Sequence, residues 1–380
     1  MIAKTKIYYL LNLLFLLTPE FIYTTASADR VIATIMVGDT PSGIALTPDN
    51  KFAYVANNNN DGLLSGNTVS VLNLTNNTLA QTISDASFNQ PYTVTINAAG
   101  TKAYVTNSAG STITIIDIAT NIVTGLITGF DGPSGMVITP DGNTAYVNNY
   151  GAAGGVGSGN GTTVRVVDLN TNTIIGGAIT VGLAPASLAI TPNGKYVYAI
   201  NYVDGNPGTG TVSVIRTSDN TVIKTIPGFS GPFAIEITPN GRYAYVTNFG
   251  SNNFAPVGTT VSVIDLSTNM ITATVKLGTQ PAGVAITPDG CFAYVTNYYT
   301  LYLGPSFTNL TAFVGTINVI DVATNKVLCP VIIVGSSPGD IVISSDGTRA
   351  YVTNYSSNNV SVLNIIDRMW LKTCAPKNCN

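Results

Sequence analysis

Histidine is absent from this chain of 380 residues. Its absence removes Ser–His–Asp triads, imidazole metal ligands and the commonest general base at neutral pH. Copper, zinc and haem sites of the usual kinds go with it. Charge is scarce as well, at 9% of residues against roughly 25% in an average soluble domain. A weakly acidic, sparsely charged surface lacks the basic footprint that nucleic-acid binding requires, so no nucleic-acid partner is expected. Long apolar runs are missing too. The eleven residues Ile7 to Leu17, interrupted by Asn12, fall short of the ~20 needed to span a bilayer.

That short run sits between Lys4 and Lys6 on one side and Ala26-Ser27-Ala28 on the other. A basic start, an apolar stretch and a small-residue cleavage site are the order of a secretory signal peptide, here residues 1–28. The expectation is an exported protein, periplasmic, cell-surface or secreted, with no stable membrane insertion once the leader is gone. Removing the leader leaves 14 basic and 18 acidic residues, a net charge of −4. The four cysteines would then lie in a compartment that permits disulfides. Cys374–Cys379 would staple the tail, residues 368–380, and Cys291–Cys329 would pair within one repeat; four free thiols are the alternative, since spacing does not fix connectivity.

What the chain has in abundance is Asn, Thr, Ser and 37 Gly, a mixture that favours turns and strands over long helices. It is organised as a repeat. Ala103-Tyr104-Val105-Thr106-Asn107 recurs, with variation, around Tyr54, Tyr146, Tyr198, Tyr245, Tyr294 and Tyr351, at spacings of 42 to 57 residues. That period fits four-stranded blades with variable loops. Each period begins with a strand after a Pro-x-Gly-like turn, as at Pro41-Ser42-Gly43. A tight turn such as Thr139-Pro140-Asp141-Gly142 leads to the tyrosine strand, with Pro and Gly placed where the turn geometry wants them. A third strand alternates strictly (Thr260 to Asp265) and a fourth follows, such as Ile271 to Leu277. Asp117, Asp168, Asp265 and Asp321 stand where they would cap the turn between these last two.

The repeat resembles the YVTN family of β-propeller repeats, known from archaeal surface-layer proteins and exported bacterial proteins. The resemblance covers roughly residues 30–365, with Tyr-Val-Thr-Asn unaltered at Tyr104, Tyr245, Tyr294 and Tyr351. It implies an all-β, seven-bladed propeller of four-stranded antiparallel blades over residues 29–367. Val31 to Val37 reads as a fourth strand with no first three before it, while the seventh repeat loses its pattern after Ile365. The expected closure therefore joins the N-terminal strand to the last blade; the rival gives that place to Met369–Lys372. Related propellers include metal-dependent lactonases with acidic and amide ligands at the channel. The repeated Trp of quinone-cofactor propellers is missing here, Trp370 being the lone tryptophan. No cofactor is expected.

Loops between second and third strands vary most: strand three begins 5 residues after Asn107, 14 after Asn149 and 19 after Asn297. Insertions confined to one face of a repeat array point to a binding face. On that face the residue after the motif Asn is aromatic in five repeats, Tyr150, Tyr202, Phe249, Tyr298 and Tyr355. Two readings stand: a ring that binds sugar, peptide or apolar side chains, or wedges between blades. The longest loop, Tyr298 to Gly315, is rich in aromatics, and Gly151 to Gly161 is nearly all small residues without a phosphate-loop signature. In the first strands a column of small residues is broken by Glu236. Its carboxyl either serves a cation or acid–base role, with Asp340 as companion, or faces channel water or pairs with a neighbour such as Arg242.

Asn57 to Gly62 imitates the start of an EF-hand loop, but Thr68 stands where the closing Glu belongs. Sequons at Asn73, Asn160, Asn309 and Asn354 follow from the composition. The expectation is a non-catalytic exported scaffold that binds a protein or glycan through the long-loop face. A metal-dependent lactonase or hydrolase with its site at the channel mouth, and a surface-layer structural unit, are the alternatives.

Overall fold

A computed structural model describes residues 29–58, 67–151, 159–202, 208–250, 257–298, 301–303 and 310–366. The leader, the tail with Trp370 and Cys374–Cys379, most of the EF-hand-like stretch, Asn309 and residues 152–158 lie outside the described residues. The chain forms seven four-stranded antiparallel sheets, six of them built from the strands of a single repeat. Each first strand touches the first strand of the next blade, and the seventh returns to the first. It is a seven-bladed β-propeller.

The ring closes through the N-terminus. Arg30–Met36 pairs antiparallel with Asn359–Asn364 and so supplies the outer strand of blade 7. The place that the rival closure gave to Met369–Lys372 is therefore already filled.

The core lies between blades rather than within them. Seven clusters of buried side chains correspond to the seven interfaces, and the one joining the last blade to the first contains Ile35, Tyr351, Val362, Ile44 and Leu72. The motif residues divide the interface work. Each Tyr is essentially fully buried, and the hydroxyls of Tyr54, Tyr146, Tyr198, Tyr245 and Tyr294 cross to the next blade. Tyr146, Tyr198 and Tyr245 donate to the side-chain oxygens of Asn220, Asn269 and Asn325 at 2.6, 2.6 and 2.7 Å. Those asparagines sit in the turn after the third strand at φ between 53° and 58°, a left-handed conformation that Asn tolerates. One residue type thus makes the turn and receives the neighbour. Blade 7 has no such turn, because its fourth strand comes from the N-terminus. Asp29 takes that role instead, accepting Tyr294 Oη at 2.6 Å and the Ile366 amide at 3.0 Å.

The motif Thr is a second clasp. Thr247 Oγ1 accepts from the Ala234 amide of its own first strand (2.9 Å) and donates to the Ala282 carbonyl of the next blade (2.7 Å). Thr106, Thr296 and Thr353 repeat this with Ser134, Gly339 and Ser42 carbonyls. Where the motif departs from Thr, other side chains bridge the blades, Ser42 in blade 1 and Asn148 in blade 3. The motif Asn works inside the blade. Asn248, for example, donates to Thr260 and Ser262 of the third strand at 3.0 and 2.9 Å. The acids that cap the following turn do so as expected, Asp117 accepting from the Thr120 amide at 3.0 Å and Asp321 from the Thr324 amide at 2.9 Å.

The expected Cys291–Cys329 pair does not form. Cys329 is disulfide-bonded, whereas Cys291 keeps its thiol. Cys291 directly precedes the second strand of blade 6 and Cys329 lies in its fourth, with the third strand between them. Two interstrand spacings of ~4.8 Å exceed the ~7 Å that a disulfide spans between Cα atoms.

Candidate functional site

The first strands line a cavity of about 650 Å³ along the axis. All seven begin with Pro paired to the motif Asn, so their N-terminal ends lie on the face that carries the long loops. Position along the strand is therefore depth in the channel. At the third position blades 1, 3 and 6 have Gly43, Gly135 and Gly283, where a Cβ would meet the neighbouring first strand or its contacts within 2.5–2.8 Å. Blade 7 places Asp340 at this level. Two residues deeper, ~7 Å at the rise of a strand, the column of small residues contains Glu236. Both acids line the cavity.

Their surroundings differ. Asp340 reaches across the junction of the last and first blades, accepting the Ile44 amide at 3.1 Å and the Ile341 amide at 2.9 Å. Those donors favour its charge, but loss of solvation outweighs them and lifts its pKa to about 6. Glu236 is exposed to the cavity, with the first strands of the other blades standing around it. Poor solvation, and then repulsion from Asp340, raises its pKa to about 7. Arg242, the expected partner of Glu236, does not reach it. That guanidinium lies over the Tyr243 ring, 5.0 Å from the centroid, at the turn on the opposite face. No Lys or Arg among the described residues lines the cavity.

The rim is aromatic, in a partial form of the expected ring. Phe249, Tyr298 and Tyr355 line the cavity and form a continuous arc. Phe249 meets Tyr298 edge-on at 5.7 Å between centroids, and Tyr298 meets Tyr355 at 6.4 Å. Two residues outside the expected set complete it. Phe233 stacks on Phe249 at 5.2 Å. Tyr92 lines the cavity from blade 2, its phenol pushed well up by burial and by the nearness of Tyr150, Asp340, Tyr355 and Tyr298. Both occupy the second position of a first strand, where the other blades have Ser, Ala or Gly. That break in a small-residue column is the signal for them. Tyr150 is half-buried at the rim near Tyr92 but does not line the cavity.

Tyr202 is different. It is as buried as Phe249 but does not line the cavity, and its hydroxyl donates to the Gly250 carbonyl of the next blade at 3.0 Å. Blade 4 carries Ile200 in place of the clasping Thr, so Tyr202 supplies that interface with a bond of its own. It is a wedge.

Among the described residues no three Asp, Glu or Cys come together as a metal group. The motif amides donate through Nδ2 to their own third strands, while the buried Oδ1 atoms of Asn57, Asn201, Asn297 and Asn354 have no hydrogen-bond partner among the described residues. The acids and aromatics make an acidic, aromatic-rimmed cavity on the face from which the loops between second and third strands leave. One of these loops carries a two-stranded ribbon, Leu301–Leu303 paired with Leu310–Phe313.

No family model matches the chain. Over 158 residues, 41% of this chain, it is 31% identical to the seven-bladed beta-propeller protein Rv1057 of Mycobacterium tuberculosis (strain ATCC 25618 / H37Rv), covering 36% of that protein. The shared architecture is the seven-bladed propeller. The PE-PGRS family protein PE_PGRS18 of the same organism is 49% identical over 59 residues, 16% of this chain and 13% of that protein. The chain thus spans well under half the length of the curated relatives it matches. Among solved structures, Kuenenia stuttgartiensis hydrazine synthase superposes with a TM-score of 0.70 at 21% identity, over 86% of this chain and 96% of that one. At that identity the likeness is one of fold alone.

Proposed function

We propose that this protein is a non-catalytic recognition scaffold, exported by its leader, that binds a protein or glycan through the long-loop face. The observation that carries the reading is the arc Phe233–Phe249–Tyr298–Tyr355 at the mouth of an open axial cavity. Aromatic area beside hydroxyls gives contact at low entropic cost. The variable loops lie on the same face. Support for export comes from the order of charge, apolar run and small residues in 1–28 and from the repeat's likeness to exported YVTN propellers.

Two substitutions separate rim from wedge. Tyr298→Ala is expected to leave the melting temperature within about 3 °C of the parent and to remove most capture of partner from a cell-envelope fraction. Tyr202→Ala empties a buried site and leaves the Gly250 carbonyl without its donor, so it is expected to cost about 3 kcal/mol of stability. Equal loss of stability in both would make the arc a structural device and end the reading.

A further inference from the structure

We propose that the axial cavity is a site for an organic cation, a substituted ammonium or guanidinium group that enters past the aromatic arc and settles between Asp340 and Glu236. This rests on the recognition reading and deepens it by naming the chemistry of what is bound on the same face.

Four observations converge on a positive ligand. Two carboxyl groups line the cavity at successive depths, and neither Lys nor Arg of the described residues lines it. Asp340 is held in place by two backbone amides, so its position does not depend on a ligand. Glu236 is the opposite case: among the described residues no donor or cation reaches its carboxylate. The mouth is ringed by Phe249, Tyr298, Tyr355 and Tyr92, whose π-faces attract cations and favour weakly hydrated organic ones over strongly hydrated metal ions. At about 650 Å³ the space matches small-molecule sites and holds a headgroup with an alkyl stem. Met136, Leu188 and Ile235 offer apolar wall to such a stem.

Two sources supply this chemistry: a free alkylammonium compound, or a Lys or Arg side chain presented by a bound protein. The titratable groups facing Glu236 across the cavity are Asp340 and the phenols of Tyr92, Tyr298 and Tyr355. The carboxyl groups set the pH response. Binding needs both ionised and is therefore lost as pH falls through the raised values of about 7 and about 6. Both raised pKa values also mean that the empty protein takes up protons more readily than its unfolded chain. The free protein is then more stable near pH 5 than near pH 8, while ligand stabilisation runs the other way.

The test is calorimetric titration of the purified protein with tetramethylammonium, butylammonium and an acetyl-lysine-amide peptide mimic bearing a free ε-ammonium. A neutral tert-butyl alcohol isostere and calcium serve as comparators. Saturable binding of at least one ammonium probe is expected near pH 8, with affinity reduced about tenfold or more near pH 5. Glu236→Gln should weaken it by a similar factor at the higher pH while melting as a folded protein, and Tyr298→Ala should weaken it several-fold. Preference for the lysine mimic assigns the cation to a protein partner; preference for the free ammonium ions assigns it to a small molecule. Equal binding of the neutral isostere, tight calcium binding in place of the ammonium probes, or no saturable binding by folded protein would overturn the proposal. Partner capture that depends on Tyr298 but not on Glu236 would sink the cation site and leave the recognition reading standing.

Discussion

Deleting residues 29–37 is expected to abolish cooperative folding rather than trim it. The segment supplies the outer strand of blade 7, with paired residues from Arg30↔Asn364 to Met36↔Asn359. It places Ile35, 3% exposed, in the cluster between last and first blades. Its Asp29 accepts Tyr294 from blade 6 and the Ile366 amide from blade 7. Ladder bonds at ~1 kcal/mol each and a buried Ile at ~3 kcal/mol add up to roughly 5–10 kcal/mol, comparable to the whole stability of a typical domain. The loss also opens an edge on Asn359–Asn364 that invites association. Urea unfolding and size-exclusion chromatography would read this as loss of a cooperative transition and a shift to larger species. An almost unchanged melting temperature would mean that the ring does not depend on this strand.

The second large effect concerns the motif tyrosine. Tyr245 is fully buried, and its hydroxyl donates to Asn325 across the interface between blades 5 and 6. Burial and the nearby Asp321 push its phenol well above the usual range, so it stays neutral and acts as a donor. Tyr245→Ala is expected to cost about 4 kcal/mol through the cavity it leaves. Tyr245→Phe keeps the packing and strands one acceptor, at about 1–2 kcal/mol. Chemical denaturation of the two variants checks the split. Equal costs would mean that the hydrogen bond, not packing, carries the interface.

How much of this is legible in the sequence depends on where the partners of each residue lie. The blade count and the order of strands are local and periodic, so Tyr104-Val105-Thr106-Asn107 and its copies disclose them. The closing strand is readable because Val31 to Val37 has the form of a fourth strand with no first three before it. What Tyr, Thr and Asn do within the motif is not readable. Tyr146 meets Asn220 and Thr247 meets Ala282, contacts that depend on how neighbouring blades rotate against each other. The same holds for the rim. Tyr202 and Tyr298 occupy equivalent positions in the repeat, yet one is sealed against Gly250 and the other faces the cavity. Tyr92 and Phe233 lie in first strands, outside the pattern of aromatics that follow the motif Asn. The expected partnerships of Cys291 with Cys329, and of Glu236 with Arg242, fail for one physical reason. Residues near in sequence lie apart across a sheet whose middle strand, or opposite face, intervenes.

Recognition through the long-loop face is tested most directly by hydrogen-exchange mass spectrometry of the protein with and without partner captured from its own cells. Protection is expected at Phe249, Tyr298 and Tyr355, and at the first-strand starts that surround the cavity mouth. No change is expected in the Thr139–Gly142 and Thr287–Gly290 turns on the far face. Protection confined to those turns or to the outer fourth strands, with the aromatic arc unchanged, would contradict it.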